Sequence, residues 1–208
     1  RLNFSVIKLP KRKILKVVRN RCIKWDNENI KKRKDTIMFN FFKKKKEEPA
    51  PPKAPAAPIA VKACVNGKVV PIEEVPDQVF STKVLGDGVG IWPEDEMIVA
   101  PADCTVSVVM EDTKHAIGLH LADGADLLIH VGMDTVNMGG EGFEYYVGNG
   151  DTVTTGQKLI SFSKEAIKAR NYPDCVIMVV TDNPEDLPMK TESGMDAAAG
   201  ETTVITLG

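Results

Sequence analysis

Cysteine and histidine are both scarce in this chain, which has four Cys and three His in 208 residues. Cys22, Cys64, Cys104 and Cys175 are scattered without a CxxC pair. That excludes the usual zinc-ribbon and disulfide frameworks and points to free thiols in a reducing cytoplasm. Cys64, Cys104 and Cys175 have no activating basic neighbour in sequence, so a nucleophilic thiol is not expected among them either. Long apolar runs are missing too. The early stretch FSVIKLPKRKILKVV is broken every few positions by Lys or Arg, so it makes neither a secretory h-region nor a span of about 20 apolar residues. The glycine-rich LGDGVG of 85–90 lacks the GxGxxG spacing and runs into IWP rather than a helix, so it reads as a turn and not as a phosphate loop.

Charge is present in quantity but unevenly placed. Residues 1–48 hold 17 Lys+Arg against 5 Asp+Glu, while 49–208 hold 10 against 24. The acidic remainder favours a basic protein partner and disfavours nucleic acid. Three regions follow. Residues 1–37, rich in Lys, Arg, Asn and Ile, are expected to be a non-native or disordered basic extension. Residues 38–58 combine a tail, MFNFFKKKK, with a Pro/Ala linker. That tail reads first as a disordered, solvated segment; the sharper reading has Phe39, Phe41 and Phe42 entering a membrane interface while Lys43–Lys46 meet anionic lipid, a weak surface contact through residues 38–46. Residues 59–208 carry the folded domain.

That domain reads as short β-branched runs separated by Gly and Pro: IAVKACV, GKVVPI, EEVPDQVF, LGDGVGIWP, MIVAPADCTVSVVM, FEYYV, QKLISF, CVIMVV and TTVITL. The pattern predicts an all-β fold, a sandwich or barrel. One or two short helices are expected, SKEAIKARN being the clearest. GNGDTVTTGQKLISF and ESGMDAAAGETTVITL share a turn, a glycine and a closing strand at the same offsets, which predicts a duplicated half-motif.

All three histidines fall in 113–135, TKHAIGLHLADGADLLIHVGMDT. HAIGLHL and ADLLIHV read as two strands around an ADG turn. With Asp123-Gly124 as a two-residue turn, Ile117 faces His130 and His115 faces Gly132. Thr113, His115, Ile117, Leu128 and His130 then share one face, with the two imidazoles as diagonal neighbours roughly 7–8 Å apart at Cα. His120 projects from the other face, as a surface or packing residue.

A histidine alone at a strand end is more often structural than reactive. Here it has company, a second histidine, a threonine hydroxyl, and Asp134 just past the strand. A neutral imidazole with one nitrogen exposed and the other N–H held by an acceptor is a phosphoryl nucleophile. His115 and Thr113 can donate to the incoming phosphoryl oxygens.

The segments VNGKVVPIEEVPDQVF, LGDGVGIWP, MIVAPADCTVSVV, TKHAIGL, LLIHVGMDTV, GEGFEYYV, GDTVTTGQKLISF and AGETTVITL together resemble the glucose-class IIA domain of the bacterial phosphoenolpyruvate-dependent sugar phosphotransferase system, over 59–207. The resemblance implies a cytoplasmic phosphotransferase component with a phosphohistidine intermediate and an antiparallel β-sandwich or barrel-sandwich hybrid fold. It would accept a phosphoryl group from the phosphocarrier HPr on His130 and donate it to a cysteine of a sugar-specific IIB domain. His115 is implied to be the second active-site histidine and Thr113 its hydrogen-bonding threonine. Asp77 and Asp134 are implied at the rim, with Phe80, Leu128 and Val131 in the apolar docking surface. Permeases and sugar kinases are implied as regulatory targets. Two positions depart from the family pattern. Cys104 stands where glycine is usual, which predicts a strained turn. Leu128 replaces an aromatic, which makes the docking patch aliphatic.

Three further classes are weighed against this reading. HVGMD has the H-x-x-x-D spacing of a zinc-hydrolase ligand pair, but no histidine follows His130 and three protein ligands are needed. No cofactor is expected; His115 and His130 could take zinc adventitiously or with a carboxylate from a partner. A lipoyl- or biotinyl-type carrier fails for want of the modified lysine turn, and a purely regulatory binding module acting on permeases and sugar kinases is the remaining alternative.

Overall fold

A computed structural model describes residues 58–183 and 186–208, together with an antiparallel strand pair, β1 (Ile14–Val18) and β2 (Arg21–Trp25). Apart from that pair, the expectations for residues 1–37 and for the tail and linker of 38–58 fall outside the described residues. The strand pair itself was not anticipated from the basic, aperiodic sequence. Ala54–Gly208 forms a compact unit of its own.

Fourteen strands build this unit: β3 (Ile59–Lys62), β4 (Gly67–Pro71), β5 (Asp87–Pro93), β6 (Met97–Val99), β7 (Cys104–Val109), β8 (Ala116–Leu121), β9 (Asp126–Val131), β10 (Phe143–Tyr145), β11 (Thr152–Val153), β12 (Lys158–Phe162), β13 (Val176–Asp182), β14 (Met189–Thr191), β15 (Asp196–Ala197) and β16 (Thr203–Leu207). Eight of them pair in the order β11-β7-β8-β9-β13-β5-β4-β15, and two three-stranded sheets, β10-β12-β6 and β14-β16-β3, complete the fold. Every strand pairing is antiparallel, as expected.

The two sequence copies occupy matching places. β11 and β15 are the opposite edges of the eight-stranded sheet, and β12 and β16 are the centres of the two small sheets. The seam between the copies is two-fold in its hydrogen bonds. Val99 N–H donates to Cys64 C=O at 2.8 Å and Lys62 N–H to Pro101 C=O at 2.7 Å across it, while inside the copies Gly156 and Gly200 make equivalent bonds to Ala100 and Ala63, each at 2.8 Å. Asp103 caps the Thr155 amide at 2.8 Å and Asn66 caps that of Ala199 at 2.7 Å. One copy is β6 through β12; the other is β3–β5 continued by β13–β16, so the first lies inserted within the second.

Strand alternation divides the apolar residues of the large sheet between two cores. Val176, Met178 and Val180 of β13, with Leu127, Ile129 and Val131 of β9, enter the main core among the three sheets. Ile177 and Val179 of the same β13 face the other way, into a smaller cluster with Ile72, Val75, Phe80, Met133 and Cys175. This second cluster carries the histidines.

EEVPDQVF, read above as a strand, is a 3-10 turn (Ile72–Glu74) followed by the single-turn helix α1 (Gln78–Ser81). Pro76 disfavours helical backbone at Val75, and Asp77 then acts as N-cap, its Oδ1 accepting from the Val79 amide at 2.7 Å and the Phe80 amide at 3.4 Å. SKEAIKARN forms α2 (Lys164–Ala169) as expected, capped by Ser163. Cys104 opens β7 in register with Leu121 and is absent from the positive-φ positions, so the strained turn expected there does not exist. Among the described residues no helix is long and apolar enough to cross a membrane.

Candidate phosphoryl-transfer site

The hairpin of β8 and β9 forms, one residue out of the predicted register. Ala116, not Ile117, lies opposite His130. The turn has three residues rather than two: Gly124 N–H donates to Leu121 C=O at 3.0 Å, Leu121 N–H donates to Ala125 C=O at 2.9 Å, and Gly124 takes φ of +93°. This is the turn with a glycine bulge that adds one residue and shifts every pair behind it.

The one-residue shift inverts the facing derived from the sequence. Even-numbered β8 residues now share the face of His130, so His120 has the parity expected of a partner. It lies four residues away along the ladder, exposed, with Nδ1 against Asp126 Oδ1 at 2.7 Å, and takes no part in the cluster. His115 reaches His130 by a different route. It sits just outside β8, following Lys114 in left-handed backbone at φ +53°, while its carbonyl still accepts from Val131 N–H at 2.8 Å. The bend swings the imidazole round to His130. Both histidines therefore meet as expected, through a kink and not through strand alternation.

The two rings are nearly perpendicular, with centroids 4.7 Å apart and an interplanar angle of 80°. Phe80 closes a second side of His130 at 5.2 Å. Thr113 Oγ1 lies 2.8 Å from Nδ1 of His115. Beyond β9, Gly132 (φ +72°) and Asp134 (φ +56°) turn the chain sharply. Gly132 and Met133 donate to the carbonyls of Cys175 and Pro173 at 3.0 and 2.8 Å. The buried hydroxyl of Thr135 donates to Val131 C=O at 2.6 Å. These bonds fix the end of β9 against β13.

Electrostatics follow from the packing. His130 is pushed down to about 4, first by burial and then by the neighbouring His115, with the Gly132 carbonyl and the Asp77 carboxylate acting in the opposite sense. The ring is neutral at pH 7. Its Nδ1 is fully buried and has no partner in hydrogen-bonding geometry; the Gly132 carbonyl is the backbone acceptor that acts on the ring. Burial also lowers His115.

Of the other expected residues, Asp77 reaches the site as a helix cap, Leu128 packs on the second cluster, and Asp134 is exposed on the turn after β9. Val131 does not fit its expected place in the docking surface. It is wholly buried in the main core, because alternation along β9 sends it to the face opposite His130. Among the described residues no group of three or more His, Cys, Asp or Glu gathers to hold a metal, so the HVGMD spacing does not bring together a zinc-hydrolase ligand set. The sequence reading missed Val79, Val84 and Val136, which are exposed by 49%, 76% and 49% in the segments that carry Phe80 and follow His130. Nothing in a β-branched pattern separates such residues from core positions.

Comparison with known proteins agrees with this architecture. The family described as phosphoenolpyruvate-dependent sugar phosphotransferase system, EIIA 1, matches residues 59–186. A glucose-specific EIIA component of Halalkalibacterium halodurans is 38% identical over 170 residues, covering 82% of this chain and 95% of that protein. The glucose-specific EIICBA component of Staphylococcus saprophyticus is 44% identical over 149 residues, 72% of this chain but only 22% of that longer protein. In structure, the chain is similar to the glucose permease IIA from Mycoplasma capricolum, with TM-score 0.66 and 28% identity over 74% of this chain and 97% of that one.

Proposed function

The chain belongs to the EIIA 1 family of the phosphoenolpyruvate-dependent sugar phosphotransferase system, and from that premise we propose that it accepts a phosphoryl group on His130 Nε2 from phospho-HPr and passes it to a cysteine of a IIB domain. The observation that carries the reading is the neutral His130 ring, Nδ1 buried, set edge-on to a second imidazole 4.7 Å away.

A buried Nδ1 beside a carbonyl favours the tautomer with the proton on Nδ1, which leaves the Nε2 lone pair as nucleophile. In the first half-reaction that pair attacks phosphorus, the N–P bond of the donor phosphohistidine breaks, and its electrons return to the donor ring. In the second, a IIB thiolate attacks and the His130 N–P bond breaks, returning the pair to Nε2. Charge builds on the phosphoryl oxygens in both. With the Thr113 hydroxyl donating to Nδ1 of His115, the Nε2–H of His115 is free to donate to those oxygens.

Around the histidines, Asp77 and Asp134 supply negative charge, and Leu128, Val79 and Val136 an apolar surface backed by the buried Phe80. Both suit partners presenting a basic, partly apolar face, and the charges act on encounter rate more than on affinity.

The test is incubation with phosphoenolpyruvate, enzyme I and HPr, followed by measurement of acid-labile phosphate. His130→Ala should take no label. His115→Ala should accept label and pass it on poorly. Label retained by the His130 variant overturns the assignment.

A further inference from the structure

We infer that Tyr145 is a positioning residue for the His115 half of this site, its hydroxyl standing in place of a main-chain rung where β7 and β8 part. The inference rests on the phosphoryl-carrier reading for its kinetic arm and on geometry alone for its spectroscopic arm.

Pairing of β7 with β8 ends at Val109 opposite Ile117. The next rung would join Met110 to Ala116. Instead the Met110 amide donates to the Tyr145 hydroxyl at 3.0 Å, and that hydroxyl donates to the Ala116 carbonyl. One oxygen thus spans a gap that a direct N–H···O=C bond would close, and it holds the strands apart at the mouth of the 111–115 loop.

Everything the site needs from this loop hangs on those two peptides. Met110 C=O accepts from the amides of Thr113 at 3.2 Å and Lys114 at 2.7 Å, so it anchors the turn that carries Thr113. Ala116 is the residue directly across from His130 and the chain neighbour of His115. Because His115 C=O bonds the Val131 amide, the Ala116–His130 pair is the non-hydrogen-bonded kind, in which side chains come closest. Tyr145 itself is held rigidly, since it pairs with Ile160 across β10 and β12 and packs on the main core. The hydroxyl transmits that rigidity to both ends of the loop.

Without it, the Met110 amide and Ala116 carbonyl either close on each other, which draws Thr113 and His115 inward, or stay open to water, which loosens them. Either change alters the contact between Thr113 Oγ1 and His115 Nδ1. Displacements of about 1 Å at reacting groups cost up to roughly a hundredfold in rate.

The experiment compares the native chain with Tyr145→Phe and with Tyr146→Phe, a neighbouring and half-exposed phenol as control. The expected result is a shift of the His115 ring nitrogen and proton resonances in Tyr145→Phe alone. With it should come a roughly tenfold slower transfer of label from His130 to a IIB acceptor, and no change in Tyr146→Phe. Unshifted His115 resonances with transfer within twofold of native would overturn the inference while leaving the carrier reading intact. If the native chain takes no label, the carrier reading fails and the resonances alone decide for or against Tyr145. Should Tyr145→Phe not fold, amide exchange in the native protein decides. Protection of the Met110 amide comparable to strand amides supports the bridge, and exchange at the rate of a free surface amide refutes it.

Discussion

Replacing His130 by glutamine should remove a pH-dependent part of the stability. In the folded chain burial and His115 push this imidazole down to about 4, whereas in the unfolded chain it titrates near its ordinary value of about 6.5. Between those values the unfolded state binds a proton that the folded state refuses, so native stability is full above about pH 6.5 and declines as the pH falls. The loss amounts to about 2 kcal/mol between pH 8 and pH 5 and approaches about 3 kcal/mol near pH 4. Water reaching the partly exposed ring makes these upper values. Urea unfolding at a series of pH values, followed by tryptophan fluorescence, gives the native-minus-variant difference, in which titrations common to both chains cancel. His130→Gln should be less sensitive to acid by that margin. Parallel stability curves, differing by less than about 0.5 kcal/mol in pH dependence, would show that His130 is not desolvated and would remove the reason for its neutrality at the moment of transfer.

Three further outcomes follow from the same geometry. Thr113→Val deletes the hydroxyl at 2.8 Å from His115 Nδ1; label should still reach His130, with onward transfer slowed about tenfold as one donor loses its orientation, read in a two-stage transfer assay. Gly132→Ala places a Cβ 2.6 Å from Thr135 Cγ2 at a backbone φ of +72°, so left-handed strain and overpacking should together cost about 2–4 kcal/mol in urea unfolding. Asp77→Asn keeps a good helix cap while removing charge; transfer from phospho-HPr should slow at low salt and match the native rate at high salt, and an equal deficit at both would assign Asp77 a structural role.

Much of this protein was legible in the chain itself. Gly and Pro punctuation between β-branched runs determined an all-β fold, because a period-two pattern buries its apolar face only as strands of a sheet. The repeated turn-glycine-strand segments determined the duplication, and the concentration of all three histidines in one hairpin pointed to the segment where two imidazoles meet. What the sequence could not decide was geometry that depends on single residues in turns. Whether Gly124 closes a two- or three-residue loop shifts the register by one, and a one-residue shift exchanges the faces of a strand. The positive φ at Lys114 that carries His115 round to His130 has no local signature. The cap at Asp77 that turned an expected strand into the segment carrying Phe80 is visible only in hindsight, since Asp after Pro serves turns of many kinds. Tertiary structure alone decided that Val131 belongs to the main core. It also decided that Tyr145, remote in sequence, bridges the two strands behind the site: hydrogen bonds between distant peptides are settled by how sheets pack, and the chain order does not encode them locally.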